Sequence, residues 1–336
     1  MNLATPYLGL ELRNPLIASS SSQNGDIDHL RRLDDAGIGA VVLPSVFQEQ
    51  LEAQQSDFES LLAQQANHSP EAESYLPPID SGPYGLGPEH HLALVMRAKR
   101  ELSVPVIASL NGSSLSGWTR YAALLEEAGA DALELNIYFV PVDIEEPGTA
   151  VEQRYLDVLG AVRQAVKIPV AVKMPPYFSS VGHMAKRLVE AGADGLVLFN
   201  RYLQPDINLT RMELSSELVL SSPGEMRLPL MWTALLAGRI EASLAASTGV
   251  ENVDQVLKYL LAGADTVMLA AAILRHGPTY VRTLLEDLEA WLESRRLESL
   301  AQIRGNMSWS RLKKHDNYIR ANYLHLLETF TSAHNA

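Results

Sequence analysis

A helix-then-strand pattern recurs along the chain. Four times an amphipathic stretch ends in Ala-Gly and an apolar run begins within about three residues; the glycines are Gly37, Gly129, Gly192 and Gly263. Glycine at this place is typical of the residue that ends a helix, because it adopts the left-handed backbone conformation without steric cost. The pattern predicts four joints at which a helix ends and a short strand follows.

Four further apolar runs, three of them directly after a proline, complete a set of predicted strands. The strands are predicted at residues 16–19, 39–43, 106–109, 131–136, 170–173, 195–199, 243–247 and 265–269. Helical periodicity predicts helices near residues 28–36, 116–128, 151–166, 181–191 and 252–262, with a short helix near 230–237.

Strands that are apolar almost throughout and alternate with helices are typical of a parallel sheet covered on both faces. The eight units predict an α/β fold closed into a (βα)₈ TIM barrel, with a doubly wound open sheet as the alternative. A barrel of this kind takes about 250 residues, so we expect it to occupy residues 1–296, with long loop insertions at residues 48–88 and 201–229. Residues 297–336 are predicted to form a C-terminal helical extension packed on the barrel or on a partner subunit.

Composition narrows the class of function. A net charge of −13 gives a surface that repels nucleic acid and anionic lipid, so we expect neither as a partner. No apolar run approaches the roughly 18 residues of a membrane span, and we expect a cytoplasmic protein. Cysteine is absent, which excludes disulfides, thiolate metal sites and a cysteine base. The nine histidines have no metal-ligand spacing, and we expect no metal.

In a barrel of this class the active site lies at the C-terminal ends of the strands. Lys173 ends a strand, and the following Met-Pro-Pro keeps the backbone extended there. Alternation along the strand before it puts Glu134 and Asn136 on one face, which makes Glu134 a candidate counter-ion for Lys173. The alternative is that the two form a purely structural ion pair.

The last two strand-to-helix loops are candidates for a phosphate site. Thr248-Gly249 and Ala270-Ala271 are small, and small side chains leave backbone N–H groups approachable near a helix start. Asn252 and Gln255 are spaced as a capping box at the start of the helix after the first loop. Small residues at helix starts also serve packing.

With these features the chain resembles the dihydroorotate dehydrogenase superfamily, whose members are flavin-dependent (βα)₈ barrels. The similarity runs in order over about residues 5–290. The matching stretches are NPLIASS at 14–20, ELN at 134–136, VKMPPYF at 172–178, Asn200, LLAGAD at 260–265 and RHGP at 275–278. The VKMPPYF stretch resembles the class 1 members in particular.

The resemblance implies FMN as the cofactor, with its phosphate held by backbone around Thr248, Gly249, Ala270 and Ala271. It also implies that Lys173 lies at the N1/O2 edge of the flavin, where an ammonium stabilises the negative charge left when hydride reaches N5. The other residues implied near the flavin and the substrate are Ser19, Ser20, Ser21, Asn111, Asn136 and Asn200.

The departures from the family lie on the substrate side. The cysteine or serine that removes the substrate proton in the family falls on Phe139, and no serine lies between Asn136 and Asp143. A second family lysine falls on Pro44, and the asparagine-bearing substrate loop becomes residues 79–83. Two further changes are Arg201 in place of a serine and Thr248 in place of a glycine.

Two hypotheses of function follow. The first is an FMN oxidoreductase of dihydroorotate dehydrogenase type, with a link to pyrimidine biosynthesis, that acts on a small dihydropyrimidine-like or enone substrate. Tyr138 is then a candidate proton donor unless the strand buries it, and Arg201 a candidate ligand of a substrate anion unless it pairs with Asp206. The second is a catalytically silent flavin- or ligand-binding subunit or regulator. The expected partners are a small molecule, a second copy in a homodimer and an electron-transfer protein.

Overall fold

Eight parallel strands form a closed barrel in the computed structural model, which describes residues 1–47, 88–112, 118–202, 204–215, 218–313, 315 and 327. The strands of the described residues are β1 (Thr5–Tyr7), β2 (Leu10–Leu12), β3 (Leu16–Ala18), β4 (Ala40–Phe47), β5 (Val106–Asn111), β6 (Ala132–Asn136), β7 (Val170–Met174), β8 (Gly195–Leu198), β9 (Asp206–Asn208), β10 (Glu213–Ser215), β11 (Ser243–Ala246) and β12 (Thr266–Leu269). The barrel runs from β3 through β8, then β11 and β12, and closes on β3. The TIM-barrel prediction is confirmed, and the open-sheet alternative is wrong.

Helices connect the barrel strands. They are α1 (Ile27–Asp35), α2 (Pro88–Glu101), α3 (Trp118–Glu127), α4 (Gly148–Ala165), α5 (Val181–Glu190), α6 (Arg227–Leu236), α7 (Val253–Ala262), α8 (Ala271–His276) and α9 (Tyr280–Ser294). The four predicted joint glycines all have positive φ, between 97° and 115°. Asn252 and Gln255 form the predicted capping box at the start of α7. No helix in the described part of the chain is long and apolar enough to cross a membrane.

The second barrel strand is longer than predicted. It continues past residue 43 to Phe47, and its register with β5 shifts between Val42 and Ser45. Pro44 lies within this shift and has no backbone N–H to donate to the ladder, which accounts for the irregularity. The strand therefore carries Ser45 up to the C-terminal end of the barrel, beside Ser109 of β5.

The interior of the barrel is apolar at its lower end and polar at its upper end. An antiparallel hairpin of β1 and β2 contributes Tyr7, Leu8 and Leu12 to a cluster inside the barrel. The strands contribute the rest of this cluster, which is Ile17, Ala40, Val42, Ile107, Ala132, Ala171, Val197, Ala245 and Met268. Because side chains alternate along each strand, the next inward layer contains Ser109 and Glu134, and Lys173 follows above Ala171.

Two predicted insertions differ in how far the structure describes them. Residues 48–87 lie outside the described residues, including most of the first predicted loop insertion. The second predicted insertion, residues 201–229, contains an antiparallel hairpin of β9 and β10 and a 3₁₀ turn at Pro223–Met226. The helix predicted near residues 230–237 begins earlier, at Arg227.

The described start of the predicted C-terminal extension packs on the barrel domain. It contains a 3₁₀ turn at Leu300–Gln302 followed by further turns. The prediction of an α-helical segment is therefore not met over residues 298–313. The backbone N–H groups of Gly305 and Met307 donate to Leu260 and Leu261 of α7, and Trp309 donates to Ala234 of α6. Most of residues 314–336 lies outside the described residues.

Candidate active site

A buried ammonium group lies at the centre of the upper barrel layer. The Nζ atom of Lys173 is 3.3 Å from Oε1 of Glu134 and 3.4 Å from Oγ of Ser19. Glu134 is fully buried and Lys173 is 7% exposed. The predicted partnership of Glu134 and Lys173 is therefore present in the structure, and it holds the ammonium at one place inside the barrel.

A chain of hydroxyl groups lies beside this ion pair. Ser45 Oγ is 2.7 Å from Ser109 Oγ and 3.4 Å from Ser20 Oγ. Ser45 of β4 is the register partner of Ser109 on the neighbouring strand β5. Ser109 is in turn the register partner of Glu134 on β6. Sequence reasoning did not single out Ser45 in this role, because the register shift in β4 decides which of its residues faces inward.

Amide side chains occupy the next layer toward the C-terminal ends of the strands. Asn111 and Asn136 are opposite each other, and Asn136 is opposite Lys173. The Nδ2 atom of Asn200 donates to Oδ1 of Asn136 at 2.5 Å. The structure thus brings together two of the predicted asparagines, Asn136 and Asn200, in one pair directly above the ammonium layer.

Aromatic rings continue the wall beyond the asparagine pair. Tyr138 and Tyr202 each lie two residues after an asparagine of that pair, and their ring centroids are 4.3 Å apart. Tyr177 lies 5.5 Å from Tyr202, and the hydroxyl of Tyr155 is 3.1 Å from that of Tyr202. Burial raises the pKa of Tyr202 above its ordinary value. Tyr138 is half-buried, so the alternative in which the strand fully buries it is wrong.

Phe139, at the place of the family's base, is held by a cation. The guanidinium carbon of Arg154 is 3.7 Å from the centroid of the Phe139 ring, and Arg154 also forms a 2.7 Å ion pair with Glu146. The backbone oxygen of Phe139 accepts a hydrogen bond from the Tyr202 hydroxyl at 3.1 Å. Its side chain therefore packs on Arg154 of α4 and offers no proton acceptor. Nothing in the local sequence indicated the contact with Arg154.

A cavity of about 320 Å³ opens beside Lys173. Most of the predicted cofactor residues line it, whereas Asn111, Asn136 and Tyr138 do not. The predicted residues in the lining are Ser19, Ser20, Ser21, Lys173, Asn200, Arg201, Thr248, Gly249, Ala270 and Ala271. Residues 218–221, which follow the β9–β10 hairpin, also line it.

The loop after β11 lines this cavity in a backbone conformation that suits glycine. Thr248 has φ +82° and Gly249 has φ +74°. A Cβ at Gly249 would lie 2.8 Å from the backbone oxygen of Ser222 and 2.9 Å from the nitrogen of Met226. The hydroxyl of Tyr259, whose pKa burial raises, donates to the backbone oxygen of Thr248 at 2.7 Å. The loop keeps a two-glycine geometry although one glycine is replaced by threonine.

Arg201 forms a different ion pair from the one considered in the sequence. Its Nε lies 2.8 Å from Oε2 of Glu225, and Nη1 donates to the backbone oxygen of Val219. The alternative pairing with Asp206 is therefore wrong. Both members of the Arg201–Glu225 pair are more than a third exposed, and Arg201 remains in the cavity lining.

A buried histidine that sequence reasoning missed supports β4 at its register shift. Nε2 of His91, on α2, lies 2.8 Å from the backbone oxygen of Pro44 and therefore donates to it. Burial lowers the pKa of His91 to about 4, so the ring is neutral near pH 7. The adjacent pair His90-His91 carried no signal for this role, because the contact joins residues 47 positions apart.

Comparisons with known proteins agree with the geometry. The dihydroorotate dehydrogenase family model matches residues 84–292. The chain is 31% identical over 222 residues to a protein of Aeropyrum pernix assigned as a dihydroorotate dehydrogenase A (fumarate). The aligned region covers 63% of this chain and 70% of that protein. The chain is 26% identical over 313 residues to a catalytic subunit of dihydroorotate dehydrogenase B (NAD(+)) from Methanothermobacter thermautotrophicus, covering 90% and 97%. The corresponding subunit of Alkaliphilus metalliredigens is 23% identical, with 91% and 99% covered.

Proposed function

Because the chain belongs to the dihydroorotate dehydrogenase family, we propose that it is an FMN-dependent oxidoreductase acting on the CH–CH bond of a small dihydropyrimidine-like or enone substrate. One observation carries the proposal: a buried, paired ammonium lies at the wall of a cavity on the C-terminal side of a TIM barrel.

The residues of the cavity fit FMN. A volume of about 320 Å³ falls in the range of about 300–1,000 Å³ typical of ligand pockets. Serine hydroxyls and Lys173 supply polar groups in the lining, and Gly249 contributes backbone to it without a side chain. Ser19, Ser20, Ser21, Lys173 and Asn200 of the lining would hold the flavin part, with Asn111 reaching it from outside the lining, and Thr248, Gly249, Ala270 and Ala271 would hold the phosphate.

When bound, FMN would supply the hydride chemistry of the reaction. Lys173 would stabilise negative charge at the flavin edge, because an ammonium fixed by Glu134 and Ser19 needs little rearrangement to do so. Asn136 and Asn200 are a pair of amides that can hydrogen-bond a substrate's amide-like edge. Tyr138, half-buried one step above them, would protonate carbon in the reduction direction.

The absence of the family's base limits the proposed substrate. A positioned general base contributes typically about 10²- to 10⁴-fold, and Phe139 packed on Arg154 cannot replace it. A phenol with an ordinary pKa near 10 is a poor base at neutral pH but can act as an acid. Dihydroorotate oxidation would therefore be slow, and reduction of an activated alkene is the better match.

Arg201 is the proposed ligand of a substrate anion. A guanidinium group matches a carboxylate in shape and charge, and Arg201 lines the cavity. Its present partner, Glu225, is more than a third exposed, so this ion pair is a weak competitor for the guanidinium group.

A silent flavin-binding subunit or regulator is the second candidate function. The names of the bacterial and archaeal relatives include the words catalytic subunit, which favours a chain that works with an electron-transfer protein.

We propose a cytoplasmic homodimer for the enzyme, with the C-terminal segment as a candidate contact. A paired lysine kept beside a polar cavity favours the enzyme over the silent subunit.

The proposal is tested by measuring two half-reactions separately, reduction of the bound flavin by a donor and its reoxidation by an acceptor. The purified protein should be yellow and release FMN on denaturation. Anaerobic mixing of the oxidised protein with dihydroorotate should bleach the flavin slowly or not at all, whereas the dithionite-reduced protein should be reoxidised by an acceptor with an activated C=C bond, an enone or an unsaturated pyrimidine. A colourless protein that cannot be loaded with FMN contradicts the cofactor. Rapid bleaching by dihydroorotate contradicts the proposed loss of its oxidation.

A further inference from the structure

Three buried polar atoms inside the barrel have no hydrogen-bond partner among the described residues. They are the hydroxyl oxygen of Tyr7, Oε2 of Glu134 and Oγ1 of Thr266, and all three residues are 0% exposed. Buried polar groups in folded proteins are nearly always hydrogen-bonded, because an unpaired one loses its hydration without compensation. Of the three, Glu134 is the charged acceptor and Tyr7 is a donor that feels its charge, so these two groups call for a link.

The geometry places the two groups in adjacent layers. Tyr7 belongs to the interior cluster that contains Ala132 and Ala171. Glu134 is two residues after Ala132 on the same inward face, and it lies opposite Ala171. Tyr7 thus belongs to the layer below Glu134, close enough for the charge of Glu134 to act on its hydroxyl.

The tyrosine is unusual for its place in the hairpin. The other hairpin residues that enter the barrel, Leu8 and Leu12, are apolar, and a phenylalanine would fill the volume of Tyr7 without a buried hydroxyl. Burial and the negative charges of Glu134 and Asp265 hold the pKa of Tyr7 well above its ordinary value. The hydroxyl therefore stays protonated and is a hydrogen-bond donor at all ordinary pH values.

The carboxylate needs such a donor. Glu134 uses Oε1 for Lys173, and a buried ion pair is favourable only when its remaining lone pairs are also satisfied. The two groups are not in direct hydrogen-bond contact, and a buried water with polar partners on both sides is the usual bridge in such a case. We propose that the Tyr7 hydroxyl donates to Glu134 Oε2 through one buried water molecule, and that Tyr7 is thereby a positioning residue for Lys173.

The consequence concerns the ammonium group. With both oxygens satisfied, Glu134 is held in one orientation, and Lys173 is fixed at the distance that the cavity requires. Without the Tyr7 hydroxyl, the carboxylate turns to satisfy Oε2 from Lys173 or Ser109, which displaces the ammonium. Since this step concerns FMN, it rests on the proposed function, whereas the link between Tyr7 and Glu134 does not.

The first experiment measures the link in the protein without flavin. Tyr7→Phe should raise the equilibrium constant for chemical unfolding by about fivefold. In a Glu134→Gln background the same change should have less than about half of that effect, because coupled residues are non-additive. An equal effect in both backgrounds, or no effect in either, overturns the proposal.

A matched control removes another buried hydroxyl that has no partner among the described residues. Thr233 on α6 is 0% exposed, lies outside the barrel interior, and has an unpartnered Oγ1. Thr233→Val should leave the unfolding constant unchanged or lower it, with no dependence on Glu134. If Tyr7→Phe behaves like Thr233→Val, the Tyr7 hydroxyl is unlinked and the proposal fails.

A high-resolution crystal structure should contain a water within hydrogen-bond distance of both the Tyr7 hydroxyl oxygen and Glu134 Oε2.

The second experiment tests the positioning role. Tyr7→Phe should weaken FMN affinity, measured by quenching of free FMN fluorescence, by about threefold or more, and should add nothing to Glu134→Gln. Thr233→Val should not change it. Coupling in unfolding with unchanged FMN affinity overturns the positioning role. Failure of the wild-type protein to bind FMN removes the proposed function instead, and the unfolding measurements still decide the Tyr7–Glu134 link.

Discussion

The Nζ atom of Lys173 and the Oε1 atom of Glu134 lie 3.3 Å apart inside the barrel, at the wall of the cavity. No oppositely charged residue lies within five positions of either one in the sequence. The contact joins residues that are 39 positions apart. The pair therefore exists because β6 and β7 are neighbours, with Asn136 opposite Lys173.

Removal of the ammonium separates a functional from a purely structural ion pair. Lys173→Met should weaken FMN binding at least about tenfold and lower the free energy of unfolding by about 3–5 kcal/mol, because Glu134 is left buried without a counter-ion. The double variant Lys173→Met with Glu134→Leu should recover most of the stability but not the FMN affinity. Recovery of both, measured by denaturation and fluorescence titration, would show that the pair is only structural.

The ion pair of Arg201 with Glu225 predicts opposite effects of its two partners. Arg201→Ala should raise KM for an anionic substrate by about tenfold, as expected for loss of a charge-assisted hydrogen bond. Glu225→Gln should lower KM about twofold, because the guanidinium loses a competing carboxylate. Glu213→Gln, which breaks the exposed pair with Arg211, is the control and should change nothing. Steady-state kinetics in which both variants raise KM would contradict a substrate role for Arg201.

Thr248 predicts a stabilising substitution. A β-branched residue at φ +82° is strained, and this strain costs of the order of 1–3 kcal/mol. Thr248→Gly should therefore raise the free energy of unfolding by about 1 kcal/mol, after the entropy cost of glycine, and leave FMN affinity within about twofold. Gly249→Ala should do the reverse, since its Cβ would lie 2.8 Å from a backbone oxygen. A destabilised Thr248→Gly protein would show that the threonine side chain contributes more than its backbone strain costs.

His91 predicts a loss of stability in mild acid. Its pKa is lowered to about 4 by burial, against about 6.5 in an unfolded chain, so the unfolded state binds more protons between these values. The stability contribution is complete above about pH 6.5 and is lost as the pH falls toward 4. At pH 5 the wild-type protein should have lost about 2 kcal/mol relative to pH 7 from this group.

The control for that prediction is His91→Gln, whose amide can still donate to the Pro44 oxygen. Chemical denaturation at the two pH values should give a smaller difference for this variant than for the wild-type protein. Equal differences in the two proteins would assign the acid sensitivity to other groups.

Much of the fold was predictable because its signals are local. Gly37, Gly129, Gly192 and Gly263 end helices at the predicted places, since a left-handed backbone requires the same residue type wherever it occurs. The Asn252–Gln255 capping box formed for the same reason. The bounds of the eight barrel strands differ from the predicted ones by at most two residues, except in β4, where Pro44 shifts the register and the strand continues to Phe47. The short hairpin strands β1, β2, β9 and β10 were not predicted.

The candidate site was predictable as far as strand alternation determines it. Glu134, Asn136 and Lys173 follow from alternation on neighbouring strands, so the ion pair was expected before the structure. Loop residues were not predictable in this way. Arg201 pairs with Glu225 rather than with Asp206, and Phe139 packs on Arg154, because these contacts depend on how each loop folds back.

The amino-acid sequence by itself determined the repeating helix and strand pattern, the closed barrel and the set of polar residues at the strand ends, because these depend on periodicity and on caps a few residues long. Only the tertiary structure decided which of those residues meet. The Asn136–Asn200 pair, the Tyr138–Tyr202 contact and the position of Tyr7 below Glu134 join residues 64 or more positions apart. Closure of the barrel brings such residues together, and no local pattern encodes the partner.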